Sequence, residues 1–209
     1  MIKIKDPISG FSHLIGAILA IIGTSFLVAN AQNNTQLICF LFFGITAIFL
    51  YSISATYHLF GKPASDISFL RKLDHASIYF LIAGSFTPFC VLVVKGLWGW
   101  LTLILIWILA IVGASTVFKD SFWKHLGRKS ATSLYIIMGW IAVLIIYPMR
   151  FYPIILLWIF IGGIFYTIGA VIYAIKKPNL FTGFGFHELF HIFVLLGTIS
   201  QFIAIYKIL

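Results

Sequence analysis

The sequence predicts an all-α, polytopic membrane protein: one seven-transmembrane helix bundle with a cytoplasmic N-terminus and an external C-terminus. Three observations carry this. Hydrophobic residues make up 62% of the 209 residues and charged residues 9%, against about 45–50% and about 25% in an ordinary soluble domain. The apolar residues fall in long runs separated by short Gly- and Pro-marked connections. Lys and Arg gather in alternate connections. This composition excludes a water-soluble globule, a disordered chain, a coiled coil and a disulfide scaffold. A spanning helix takes about 20 residues and a crossing with its loop about 30. The length therefore allows about seven crossings and no soluble domain.

The spans follow in order. The first, about Ser9 to Ala29, comes after Lys3, Lys5, Asp6 and Pro7. Its basic start and Ala29-Asn30-Ala31 imitate a cleaved leader, but Asp6 and Pro7 are out of place in one. The second runs from Leu37 to Phe60 and stops at Gly61-Lys62-Pro63, and the third from Leu70 to Val94, before Lys95-Gly96. The fourth covers Leu97 to Phe118 and the fifth Ala131 to Tyr147, closed by Pro148. The sixth covers Tyr152 to Ile175, ahead of Lys177-Pro178-Asn179, and the seventh Gly185 to Tyr206. Trp98, Trp100, Trp123, Tyr147 and Tyr152 read as interfacial belt residues. Gly16, Gly23, Gly162, Gly163 and Gly169 read as sites of close helix packing.

Basic residues set the orientation. Lys3, Lys5, Lys62, Arg71, Lys72, Lys119, Lys124, Arg128, Lys129, Lys176 and Lys177 put 11 on one side, and Lys95, Arg150 and Lys207 put 3 on the other. The positive-inside rule makes the richer side cytoplasmic. It also accounts for the net charge of +9 without nucleic acid as a partner. Cys39 and Cys90 lie near the outer ends of their spans. They read as two buried thiols, with a disulfide between them as the alternative.

Ionisable residues in a span are expensive and mark function. His58 lies in the last turn of span 2, with Ser54 one turn earlier on its face. Asp74 and His75 open span 3. His187, Glu188 and His191 open span 7, His13 lies early in span 1, and His125 belongs to the loop between spans 4 and 5. Span 2 ends on the side where spans 3 and 7 begin, so His58, Asp74, His187 and His191 share one depth. His187 and His191, at i and i+4, share a helix face and can hold one metal. His58 makes a third nitrogen ligand, leaving the open fourth position of a catalytic zinc. Asp74 and Ser54 then stand where they can contact the metal's water or a developing oxyanion. The competing reading of each histidine is a lone interfacial residue with its tip in water.

His187-Glu188-Leu189-Phe190-His191 also fits the HExxH pattern of zinc proteases. No Asp, Glu or His follows His191, so the downstream ligand of that class is missing. Mid-span 3 holds Gly84, Ser85, Thr87 and Pro88. Pro88 kinks a helix and its neighbours' hydroxyls can satisfy freed carbonyls; a wet cavity is the alternative.

Three ordered stretches carry a resemblance. They are Ser52-Ile53-Ser54-Ala55-Thr56-Tyr57-His58-Leu59-Phe60; Leu73-Asp74-His75-Ala76-Ser77-Ile78-Tyr79 with Ala83-Gly84-Ser85-Phe86-Thr87-Pro88; and Phe186 to Phe193, reading FHELFHIF. Asp6-Pro7-Ile8-Ser9 and Ser12-His13 also fit. Together they resemble the bacterial haemolysin III family, related to the progestin and adipoQ receptors and more distantly to alkaline ceramidases. The resemblance implies seven helices and a zinc on the cytoplasmic side, held by His58, His187 and His191. It implies that Asp74 holds the zinc's water with Ser54 beside it, that His75 is packing or an outer-sphere residue, and that His13 is structural. Receptor members carry a cytoplasmic domain before span 1; this chain starts at the membrane, which points away from adaptor signalling.

Three functions compete. One is a zinc-dependent hydrolase of a lipid amide or ester, taking a lipid-like substrate from the membrane. The second is a non-catalytic regulator or lipid sensor with structural zinc. The third is a cytolytic pore, for which no span offers a charged stripe. The expected location is the bacterial cell (inner) membrane.

Overall fold

The computed structural model describes residues 4–61, 68–119, 121, 123 and 127–209, with backbone alone over 127–131. His125 and the loop lysines Lys62 and Lys124 lie outside the described residues.

Helix α1 spans Pro7–Ala29, with Pro7 in the first turn, where a missing N–H costs nothing. Helix α2 spans Asn34–Phe60 and is capped by Asn33, whose side chain accepts from Gln36 N at 2.9 Å. Helix α3, Phe69–Pro88, starts at the Ser68 cap and passes after Pro88 into a π-helical segment, Phe89–Val94. There the chain turns at Lys95, with φ of 57°, and α4 runs Gly96–Val117. Helices α5, Gly127–Trp140, and α6, Val143–Ile146, follow. Helix α7 spans Pro153–Ile175 and α8 Phe186–Tyr206. Among the described residues the only β feature is one bridge between Phe181 and Phe184.

Among the described residues, six helices are long and apolar enough to cross a membrane: α1, α2, α3 with its π continuation, α4, α7 and α8. The fifth expected span, Ala131 to Tyr147, is different. Its apolar helical stretch, Thr132–Ile146, is shorter than a crossing helix and is interrupted after Trp140. Gly139, a poor helix former, precedes the break. Ile141 N is shared between Ile137 O and Met138 O, and Ala142 N bonds Gly139 O at 3.2 Å. The bonding thus tightens from i−4 to i−3, which the hydropathy of the run does not record.

The helices pack in chain order, α1 on α2, α2 on α3, α3 on α4 and α7 on α8, with α8 returning to α1 and α5 bridging to α7. Helix α3 is the most buried of the six long helices and α1 and α7 the least. Outward faces carry large exposed apolar side chains such as Ile15, Ile22, Ile45, Ile111 and Phe160. In water each would forgo about 25 cal/mol per Å² of burial; in lipid none does. Cys39 and Cys90 are buried free thiols. A Cβ on Gly16 would stand 2.8 Å from Tyr51 Cδ1 and one on Gly169 2.8 Å from Phe193 Cβ, so these glycines do allow close packing. Gly163 does not: a Cβ there meets nothing within 4 Å, because it faces a cavity.

The bundle's two ends are distinct. At one, Asp6 N donates to His58 O at 2.9 Å and Lys5 N to Leu59 O at 3.4 Å, tying the start of the chain to the end of α2. At the other, Gln32 Nε2 donates to Leu209 O at 2.9 Å, joining the start of α2 to the end of α8.

Candidate metal centre

The first end holds the ionisable residues. His58 sits in the last turn of α2, and His187 and His191 lie in the first two turns of α8. One ligand nitrogen from each lies within 4.8 Å of the others. Ring centroids are 5.0 Å apart for His58–His187, 4.6 Å for His58–His191 and 4.8 Å for His187–His191. His58 and His191 are buried and His187 is half-buried.

His58 Nδ1 lies 3.1 Å from Asp6 Oδ2. A carboxylate only accepts, so Nδ1–H donates and His58 Nε2 keeps its lone pair. That Nε2 and His191 Nδ1 are buried and have no hydrogen-bond partner. Buried polar atoms in a fold are rarely left so, and a cation among them resolves both. Three neutral imidazoles suit zinc, copper, iron or nickel. The donor set and its orphaned nitrogens therefore fit a metal ion.

Asp6 is the residue that sequence reasoning missed. Its carboxylate orients His58, as an outer carboxylate orients a metal-bound histidine. The His58 hydrogen bond, chiefly, holds Asp6 below the usual carboxylate range, against the opposing effect of burial and with help from Lys5. Lys5 Nζ lies 3.4 Å from Asp6 Oδ2 and 3.5 Å over the Tyr57 ring. The available signal was an acid just before span 1, at the end where span 2 finishes.

Asp74 and Ser54 are both buried and lie side by side. Asp74 is within electrostatic reach of His58 and His187. His75 Nδ1 lies 3.4 Å from Asp74 Oδ2 and 3.0 Å from Arg71 O, and its carbonyl accepts from Tyr135 at 2.9 Å. Glu188 is turned away from the three histidines. It accepts from Gly185 N at 2.8 Å, closing the first turn of α8, and from Ser9 Oγ at 3.4 Å. This gives the HExxH-like stretch a helix-capping acid where a protease needs its base. His13, expected to be structural, stacks on His191 with ring centroids 3.9 Å apart.

A cavity of about 320 Å³ lies among α3, α5, α6, α7 and α8. Ile78, Leu81, Tyr135, Gly163, Phe190 and Val194 line it, with Ser85 among few polar groups. Ser85 and Thr87 bond back to Leu81 O and Ala83 O at 2.8 and 3.0 Å. The hydroxyls near Pro88 thus serve their own helix, and the cavity beside them is apolar.

The fold and this end together define a class: a multi-pass helical membrane protein with a three-histidine group, two of its members buried and one half-buried, able to hold a metal ion. Comparison with known proteins refines it. The model of the family described as haemolysin-III related matches residues 1–202, and the chain belongs to that family. It is 33% identical to Hemolysin-3 of Bacillus cereus over 97% of this chain and 91% of that one. It is 34% identical to the Hemolysin-3 homolog of Bacillus subtilis (strain 168), over 98% and 95%. Heptahelical transmembrane protein 1 of Arabidopsis thaliana is 27% identical over 96% of this chain and 68% of that one.

Proposed function

We propose that this protein is a zinc-dependent hydrolase of a lipid amide or ester in the bacterial cell membrane. The observation that carries it is the convergence of His58, His187 and His191, with ligand nitrogens within 4.8 Å, beside the buried pair Asp74 and Ser54. A zinc ion with an open position supplies a nucleophile near neutral pH and polarises a carbonyl. Asp74 orients and accepts the proton of the attacking water, and Ser54 donates to the oxygen that gains charge. His75 Nδ1, shared with Arg71 O, reaches Asp74 from the outer side. The apolar cavity, about 320 Å³, receives an acyl chain; Phe190 on its wall directly precedes His191.

The same proposal includes seven crossings, with the metal end cytoplasmic. Tyr135 bonds His75 O at the metal end, and further along the same stretch Leu144 O accepts from Trp98 Nε1 at 2.8 Å near the other. These contacts support α5 and α6 together as the remaining crossing. The relative named heptahelical supports the count.

Zinc content and lipid hydrolysis, measured on the same preparations, test the mechanism. General base catalysis is worth about 10²–10⁴-fold and one oxyanion donor about 10²–10³-fold. Asp74→Asn is expected to keep zinc and lose most turnover, and Ser54→Ala to lose less. If Asp74→Asn loses zinc in step with function, Asp74 anchors the metal. If the zinc-loaded wild type turns over no lipid amide or ester, the regulator reading replaces the enzyme.

A further inference from the structure

Four buried side-chain nitrogen or oxygen atoms among the described residues have no hydrogen-bond partner: His58 Nε2, His191 Nδ1, and both ring nitrogens of His13. All four belong to one cluster. The first two are explained by a metal ion. His13 is not among the three residues whose ligand atoms converge, so metal bonds do not satisfy it.

Its position is built by the packing of α1 on α8. Ser9 Oγ reaches Glu188 Oε1 at 3.4 Å. His13, four residues on, shares the face of Ser9 and meets His191, three residues after Glu188. The His13 ring is 3% exposed and lies 3.9 Å, centroid to centroid, from His191 at a 42° tilt. Tyr51 meets it edge-on at 5.0 Å, but the Tyr51 hydroxyl is committed to Thr198 Oγ1 at 2.7 Å. The His191 backbone lies within reach of the ring, so an imidazole kept only for packing would still leave at least one of its two nitrogens dry. Such orphans are among the costliest features of an interior, and Phe or Leu would fill the volume without them.

We propose that His13 is a fourth functional imidazole of the metal centre, hydrogen-bonding the small polar molecule, a water or a small anion, that shares the site with the metal. His13 thereby selects what the metal binds besides protein. The inference rests on the metal reading of His58, His187 and His191, and not on hydrolysis.

Cobalt is a spectroscopically visible stand-in for the metal, and azide a probe anion. The full chain is loaded with Co²⁺ and titrated with azide. His13→Phe keeps the ring's shape without its nitrogens; His13→Gln keeps a donor and an acceptor. His13→Phe is expected to retain one cobalt per chain, to bind azide about tenfold more weakly, as for one lost hydrogen bond, and to shift the cobalt visible bands. His13→Gln should recover most of the affinity. In the wild type, a solvent-exchangeable ring proton shifted by the cobalt should move on azide addition and vanish in His13→Gln; this readout stands even if His13→Phe does not fold. Wild-type azide affinity and bands in His13→Phe, or no azide-sensitive ring proton in the wild type, overturn the proposal alone. Loss of cobalt from a folded His13→Phe overturns it by making His13 a ligand. A wild type that binds no cobalt overturns it together with the metal reading.

Discussion

Asp6 and the three histidines form a chain of dependence that can be taken apart one side chain at a time. Asp6→Asn removes the negative charge that fixes the His58 tautomer and leaves at most a neutral amide oxygen to accept from Nδ1–H. Outer-shell carboxylates of this kind are worth about 10–100-fold in metal affinity, so competition against a chelating dye should show a loss of that order with the fold unchanged. Replacing His58, His187 or His191 by Ala should lower metal content, and the double change at His187 and His191 should abolish it; full occupancy in that double variant would refute the site. The three histidines were legible in the sequence because an i, i+4 pair and a shared membrane depth are properties of spacing alone. Asp6 was not legible because it lies outside the apolar runs, and its role arises from the chain's return to the end of α2. Glu188 looked like a base from its motif, but only the geometry shows it spent on Gly185 and Ser9.

At the scale of helices, close approach is the controlling feature. A Cβ on Gly84 would overlap the Thr46 side chain on α2. Gly84→Ala should therefore cost about 1–3 kcal/mol, the usual penalty of overpacking. Gly163→Ala points into the open cavity and should be near neutral; Gly163→Leu should fill that cavity and compete with a bound acyl chain. Thermal unfolding of the three variants in detergent checks the order. Helix positions were readable to within a few residues because apolar run length and Pro, Asn and Gly punctuation mark them. The break between α5 and α6 and the π segment after Pro88 were not, since both are changes of hydrogen-bond partner within a uniformly apolar run.

At the scale of the whole molecule, the histidines join α2 to α8, elements distant in sequence. Metal that binds only the folded chain should stabilise it by about 2.7 kcal/mol at a hundredfold excess over its dissociation constant. Chelation should lower the unfolding temperature of the wild type and leave the His187/His191 double-Ala variant unmoved; equal shifts in both would place the metal elsewhere. Reporter fusions at the two ends should read cytoplasmic before Met1 and external after Leu209, and a cytoplasmic signal at both would break the proposed seven crossings.

The asymmetry of burial within the histidine group has a consequence for how an ion would reach the site. His58 and His191 are each 2% exposed, whereas His187 is half-buried. The route to the site therefore passes His187, at the end that carries Lys5 and Asp6. A metal held there is therefore expected to exchange with the compartment bathing that end.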